Sequence, residues 1–176
     1  HFLLLRQVIM ELDRIFILHS VEDKPAVRQL YKQLKEAGYK PWLDEEDILP
    51  GQDWEQEITK AIRNSAVVLV CLSAGLVNKR GYVQKEIKVV LDVANEKLEG
   101  DIFIIPVRLD ESHIPEELSH IQAVNLFEES GSEPLLKSLD FSFRHKGLRK
   151  AAQKTLFDVV GHALKRISDL QELAQA

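Results

Sequence analysis

The chain has 176 residues, 45% of them hydrophobic and 29% charged, which fits one soluble globular domain and excludes a disordered or fibrous protein. Lys and Arg total 23 against 28 Asp and Glu, a formal charge of -5, so no global field draws phosphate backbones and nucleic acid is not the expected partner. The lone cysteine, Cys71, lies in an apolar run and has no intrachain partner, which fits a reducing compartment and a cytoplasmic location.

The opening HFLLLRQVIMEL is apolar, but Arg6 and Glu11 interrupt it and it is too short to span a bilayer. Residues 1–12 are read as a helix or linker, with no membrane role. A start at His1 reads as a piece of something longer, which implies partner domains in the same chain.

Beyond it, strand-like runs alternate with helix-period segments, the pattern of parallel strands joined by crossover helices. Strands are expected at Arg14 to Ser20, Tyr39 to Leu43, Val67 to Ser73, Ile102 to Arg108 and Ala123 to Phe127. After the first, Val27, Leu30, Tyr31, Leu34 and Ala37 recur at helical spacing, and Gly38 can end that helix. After the second, Pro50 and Gly51 form a turn. Asp53 can cap a helix and Gln56 can complete a capping box, with Trp54, Ile58, Ala61 and Ile62 facing inward.

The runs AVVLVCLS and IFIIPV are apolar at nearly every position, as central strands covered on both faces must be. Pro41 cannot donate to a ladder and puts the second strand at an edge. With right-handed crossovers, the expected fold is α/β: a flavodoxin-like five-stranded parallel sheet of order 2-1-3-4-5, helices on both faces and further terminal helices. The last segment, Leu148 to about Leu173, carries Leu156, Val159, Val160, Ala163, Leu164, Ile167 and Leu170 on one stripe. It reads either as a helix packed on the sheet or as a connector or self-association helix.

In such a sheet, ligands bind outside the carboxyl ends of the strands at the switch point between strands one and three, which places His19, Ser20, Leu72 and Ser73 at the mouth. The helix GYVQKEIKVVLDVANEK descends from that mouth with Tyr82 and Glu86 one turn apart. The neighbours of Glu86 three and four residues away are Tyr82, Val83, Val89 and Val90, none of them cationic. Two readings remain open: a solvent-facing charge, or an acid bordering an apolar face at a functional site.

Other constellations lead nowhere. CLSAG has Cys71 where a nucleophile elbow needs glycine. Asp44, Glu45, Glu46 and Asp47 lack calcium-loop spacing, and the six histidines lack metal-ligand spacing, so no metal is expected. A response-regulator pocket would need acids where His19, Ser20 and Ser73 stand. No G-x-G-x-x-G follows strand one, so no dinucleotide is expected as a resident cofactor. Arg144, Lys146, Arg149 and Lys150 form only a short basic cluster.

In order and spacing, RIFILHS, WLDEEDILPGQDWEQEI, VVLVCLSAG and YVQKEI closely resemble Toll/interleukin-1 receptor (TIR) domains, particularly bacterial ones, from about Asp13 to Leu139. The resemblance implies a TIR domain over residues 13–142 and leaves 143–176 as a C-terminal amphipathic helix. It makes EEDILPGQDW a mobile loop after strand two that shapes the pocket and forms contacts between protomers, hence a homo-oligomer. Many TIR domains cleave NAD at the nicotinamide-ribose bond with a glutamate one turn after an aromatic residue. By that resemblance Glu86 is the catalytic acid, NAD is substrate rather than cofactor, and the product is ADP-ribose or a cyclic isomer. Substrate contacts would come from His19, Ser20, Trp42, Asp44, Leu72, Ser73 and Tyr82. Tyr82 stands where many of these enzymes carry Trp, and Ser20 where some members carry a basic residue. Resemblance to receptor and adaptor members implies the alternative, a non-catalytic adaptor in immune or defence signalling.

Overall fold

The computed structural model describes residues 14–78, 82–97 and 99–175. The helix or linker expected over residues 1–12 lies outside the described residues. β1 (Arg14–Leu18), β2 (Lys40–Trp42), β3 (Val67–Leu72), β4 (Ile104–Arg108) and β5 (Val124–Asn125) form one five-stranded sheet of order β2-β1-β3-β4-β5. Every pairing is parallel, with Phe16 opposite Trp42 and Val68, and Leu69 opposite Ile105. The α/β class, the strand order and the edge position of Pro41 are as the sequence led us to expect.

Burial explains the centre of the sheet. All six side chains of β3 are buried, as are Ile15 to Leu18 in β1, because helices cover both faces and leave no solvated side. One face presents Phe16, Leu18, Trp42, Val68, Val70 and Leu72 to α3 (Trp54–Arg63), through Ile58, Ala61 and Ile62, and to α5 (Tyr82–Asn95), through Ile87, Val90 and Val93. The opposite parity, Ile15, Ile17, Val67, Leu69, Cys71 and Val107, is equally buried. Right-handed crossovers put α1 (Lys24–Glu36) on that second face, because the chain turns back at β1. Its inward residues are Val27, Leu30 and Leu34. Gly38, at φ +89°, takes the left-handed turn that ends α1 without the backbone strain an L side chain brings at positive φ.

Local chemistry sets the ends of the elements. Asp53 caps α3 by accepting from the Gln56 backbone N–H at 3.1 Å. The Gln56 amide returns to the Asp53 carboxylate at 3.3 Å rather than to its backbone, so only one arm of the expected capping box forms. Trp54 is half exposed rather than inward. It sits in the first turn of α3, ahead of the stripe that Ile58 and Ile62 bury.

Two expectations on length are also corrected. β5 is only Val124–Asn125, and Phe127, expected within it, is exposed. Its ladder ends where Leu126 donates to the Arg108 carbonyl and the chain turns back through Gly131, where a Cβ would lie 2.1 Å from the Asn125 carbonyl oxygen. The last helix, α6 (Ser132–Gln175), begins well before the expected Leu148. Pro134 is tolerated in its first turn, and an interior Gly147 costs about 1 kcal/mol without breaking a long helix. The described chain divides into two units between Leu139 and Asp140, within α6. Among the described residues no helix is long and apolar enough to cross a membrane.

Trp42 stacks on Phe16 across the β1–β2 pair, ring centroids 5.0 Å apart, and is nearly buried. Trp42→Ala is therefore expected to lower unfolding stability by about 3 kcal/mol or more, read from the shift of the urea midpoint. A shift below about 1 kcal/mol would show that the ring does not hold the edge strand.

Candidate functional site at the carboxyl edge of the sheet

β1 and β3 run side by side and end at Leu18 and Leu72, so the residues that follow them emerge together. Three polar side chains meet there. The Ser20 hydroxyl donates to Asp23 Oδ2 at 2.7 Å and the Ser73 hydroxyl donates to the same oxygen at 2.6 Å. Ser20 and Ser73 are almost fully buried, and their shared acceptor joins two chain segments fifty residues apart. Ser73 Oγ in turn accepts from the Leu76 backbone N–H at 3.2 Å, capping α4 (Ala74–Val77). A Cβ on Gly75 would sit 3.5 Å from both serine oxygens, so the first turn of α4 closes over this pair.

His19 lies beside this network with its side chain 5% exposed. Nε2 is 3.2 Å from Asp44 Oδ1 and Nδ1 is 2.8 Å from the Ser20 carbonyl oxygen. Both partners offer acceptor oxygens, so the ring nitrogen that carries a proton decides which of the two bonds it donates. Asp44 opens α2 (Asp44–Asp47), and Asp47 accepts from the Leu43 backbone N–H at 2.8 Å. The loop after β2 is thus tied at its root to the end of β1.

From β4, Asp110 reaches across to the same edge. It accepts from the Ala74 backbone N–H at 3.0 Å and from the Ser112 backbone N–H at 2.9 Å. These two N–H donors hold the Asp110 carboxyl below its usual range. Arg108 donates to the Asn125 side chain and to the Ser112 carbonyl, each at 3.0 Å, and lies over the Phe127 ring. Below the edge, burial foremost and the charge of Asp23 second push the Cys71 thiol far above its ordinary range, so it is no nucleophile.

Glu86 lies in the second turn of α5. That helix returns the chain from the carboxyl end of β3 toward the start of β4, so its first turns belong to the carboxyl edge. At 3.6 residues per turn, Glu86 falls on the stripe of Val90 and Val93, and it is 9% exposed. The solvent-facing reading is therefore excluded. Tyr82 begins α5, but its side chain lies outside the described residues.

His19, Ser20, Leu72 and Ser73 are brought together with Asp44. Trp42 is packed into the core against Phe16, inward of that group. Asp23, which binds the network, was not singled out from the sequence, although an acid three residues after Ser20 in S-x-x-D is the available signal. An open cleft of about 580 Å³ lies elsewhere, at the β4–β5 side, with Lys97, Phe103, Ile121, Asn125 and Glu128 in its wall. None of the expected site residues lines it. Lys97 covers the Phe103 ring at 4.8 Å, and its burial lowers its proton affinity.

Asp23→Ala would leave two buried hydroxyls without their acceptor and is expected to cost about 1–3 kcal/mol in urea unfolding, with Asp23→Asn retaining part of it. Parental stability in the alanine variant would dismiss the bridge as a brace. The Asp110 carboxyl, held low when folded, stabilises the fold above about pH 4 and loses that contribution as pH falls through its folded-state value. The difference in Tm between the parent and Asp110→Asn should thus hold at neutral pH and shrink in acid. A difference independent of pH would refute it.

Residues 15–139 match the family model described as TIR domain. The uncharacterized protein y4cD of Sinorhizobium fredii is 31% identical over 137 residues, 76% of this chain, and the chain spans only 21% of that protein. Among solved structures, the TIR domain of the Toll-related receptor TRR-2 from Hydra magnipapillata superposes with a TM-score of 0.60 at 21% identity, over 72% of this chain and 97% of that one. A prokaryotic SEFIR domain superposes at 0.55 and 19% identity, over 74% and 98%. With the family match spanning most of its length and the same parallel sheet beneath it, this chain belongs to the TIR domain family.

Proposed function

We infer that this TIR domain is an NAD glycohydrolase that cleaves the nicotinamide-ribose bond and is switched on by self-association. One observation carries the reading: Glu86 is a nearly buried carboxylate on the inward stripe of α5, in the turns that adjoin the carboxyl edge of the sheet. A surface glutamate with no task would turn to water. A carboxylate withdrawn from solvent acts on nearby charge with far less screening.

The chemistry asks for such a group. The bond between ribose C1′ and the nicotinamide ring nitrogen breaks with its electron pair going to nitrogen, which turns a pyridinium into a neutral leaving group. No acid is needed to protonate it. Positive charge then develops on the ribose, and Glu86 stabilises that oxocarbenium-like state by electrostatics and by accepting from ribose hydroxyls. Water adds its oxygen to C1′ and releases its proton, giving ADP-ribose; a nucleophile within the substrate gives a cyclic isomer instead. In this reading His19, Asp44 and Tyr82 face the substrate, Ser20, Leu72 and Ser73 form the buried floor beneath it, and Trp42 supports it from the core. Protomers meet through the loop from Glu45 to Asp53, in a signalling role in immunity or defence and in the cytoplasm. Further domains of a longer chain would supply the trigger.

The test is chromatography of NAD incubated with protein over a range of concentrations. Nicotinamide release should rise faster than protein concentration, and Glu86→Ala should lower it by about two to three orders of magnitude while circular dichroism stays native. Turnover retained in a folded Glu86→Ala variant would remove Glu86 from the mechanism. No release by the parent at any concentration would favour an adaptor that signals by TIR–TIR contact alone.

A further inference from the structure

The second half of α6 carries a run of large apolar side chains that are exposed among the described residues. Leu156, Val159, Val160, Leu164 and Ile167 are 65%, 60%, 47%, 62% and 52% exposed. Single exposed aliphatics are ordinary, but a run of them along one helix marks a contact surface.

Their spacing says what kind. Leu156, Val160, Ala163, Ile167, Leu170 and Ala174 follow one another at intervals of 4, 3, 4, 3 and 4 residues, the alternation of a heptad seam. The phase sets Leu156, Ala163 and Leu170 at d and the β-branched Val160 and Ile167 at a, the combination that favours two parallel strands. We propose that residues 156–174 pair with the same segment of a second copy of this chain as a parallel, in-register coiled coil.

The charges agree with a second copy as the occupant. Asp158, Lys165 and Glu172 fall at f, and His162 and Asp169 at c, all away from the seam. Of the charged residues Arg166 alone takes a g position, where the partner's e position is the neutral Gln171, so no like charges oppose across the pair. The apolar Val159 at g and Leu164 at e extend the contact on both flanks. A basic target helix would find no complementary charge beside the seam, and an acidic one only Arg166.

At 1.5 Å per residue the seam is about 28 Å long, under three heptads, so pairing is reversible and depends on concentration. Parallel pairing tethers the two preceding TIR units and raises the concentration at which each meets the other. It does not depend on the chemistry of Glu86.

The experiment is sedimentation of the 176-residue chain from low micromolar to several hundred micromolar, with oxidative cross-linking of single-cysteine variants. The mass should rise from 20.1 kDa toward twice that value, and Val160→Asp with Ile167→Asp should hold the monomer at every concentration. Native helical content in that double variant guards against misfolding as the cause. Because Cys71 is buried, an Ile167→Cys variant should give a disulfide-linked dimer, whereas Lys165→Cys on the outer face should not. A parent that stays monomeric, a dimer untouched by the double aspartate change, or equal cross-linking at both positions would overturn the proposal.

Discussion

Parallel strands covered on both faces leave no room for polar side chains along their length, and the rest of the molecule follows from that constraint. β3 spends six consecutive residues without one solvated atom of consequence, and β1 spends four. Backbone hydrogen bonds satisfy the peptide groups, and apolar side chains fill both surfaces. Polar groups must therefore leave the sheet at its ends. At the carboxyl end they gather as Ser20, Ser73, His19 and the carboxylates of Asp23 and Asp44, a concentration of hydrogen-bonding capacity where the strand order reverses.

The same constraint decides what the sequence could disclose. Val67–Leu72 and Ile104–Arg108 are legible because their burial allows only apolar side chains, and Pro41 marks its strand as an edge because a central strand would need its missing donor. β5 is hard to bound because two residues of ladder need no periodicity, and nothing distinguishes Phe127 in the text from a strand residue. The first turns of α6 are hidden by Ser, Gly and Pro, which read as loop locally; Leu135 and Leu139, four apart and buried, override that preference.

The candidate site is legible to a different degree. A switch-point rule names His19, Ser20, Leu72 and Ser73 without any knowledge of their partners. It cannot name Asp23, whose role comes from reaching a residue fifty positions away. Glu86 stood undecided between water and the fold because its valine neighbours suit either outcome, and only the rotation of α5 on the sheet resolves it. Trp54 illustrates the converse: its phase is inward, but phase says nothing about whether the sheet extends far enough to meet it.

Cys71 carries one further consequence. The only sulfhydryl of the chain sits inside β3, where no solvent reaches it and where both its surroundings and the neighbouring negative charge of Asp23 oppose ionisation. Oxidants and alkylating reagents find no accessible thiolate, so copies of the folded chain cannot become welded to one another through sulfur. Any assembly built by this molecule as it stands is held by contacts that come apart on dilution.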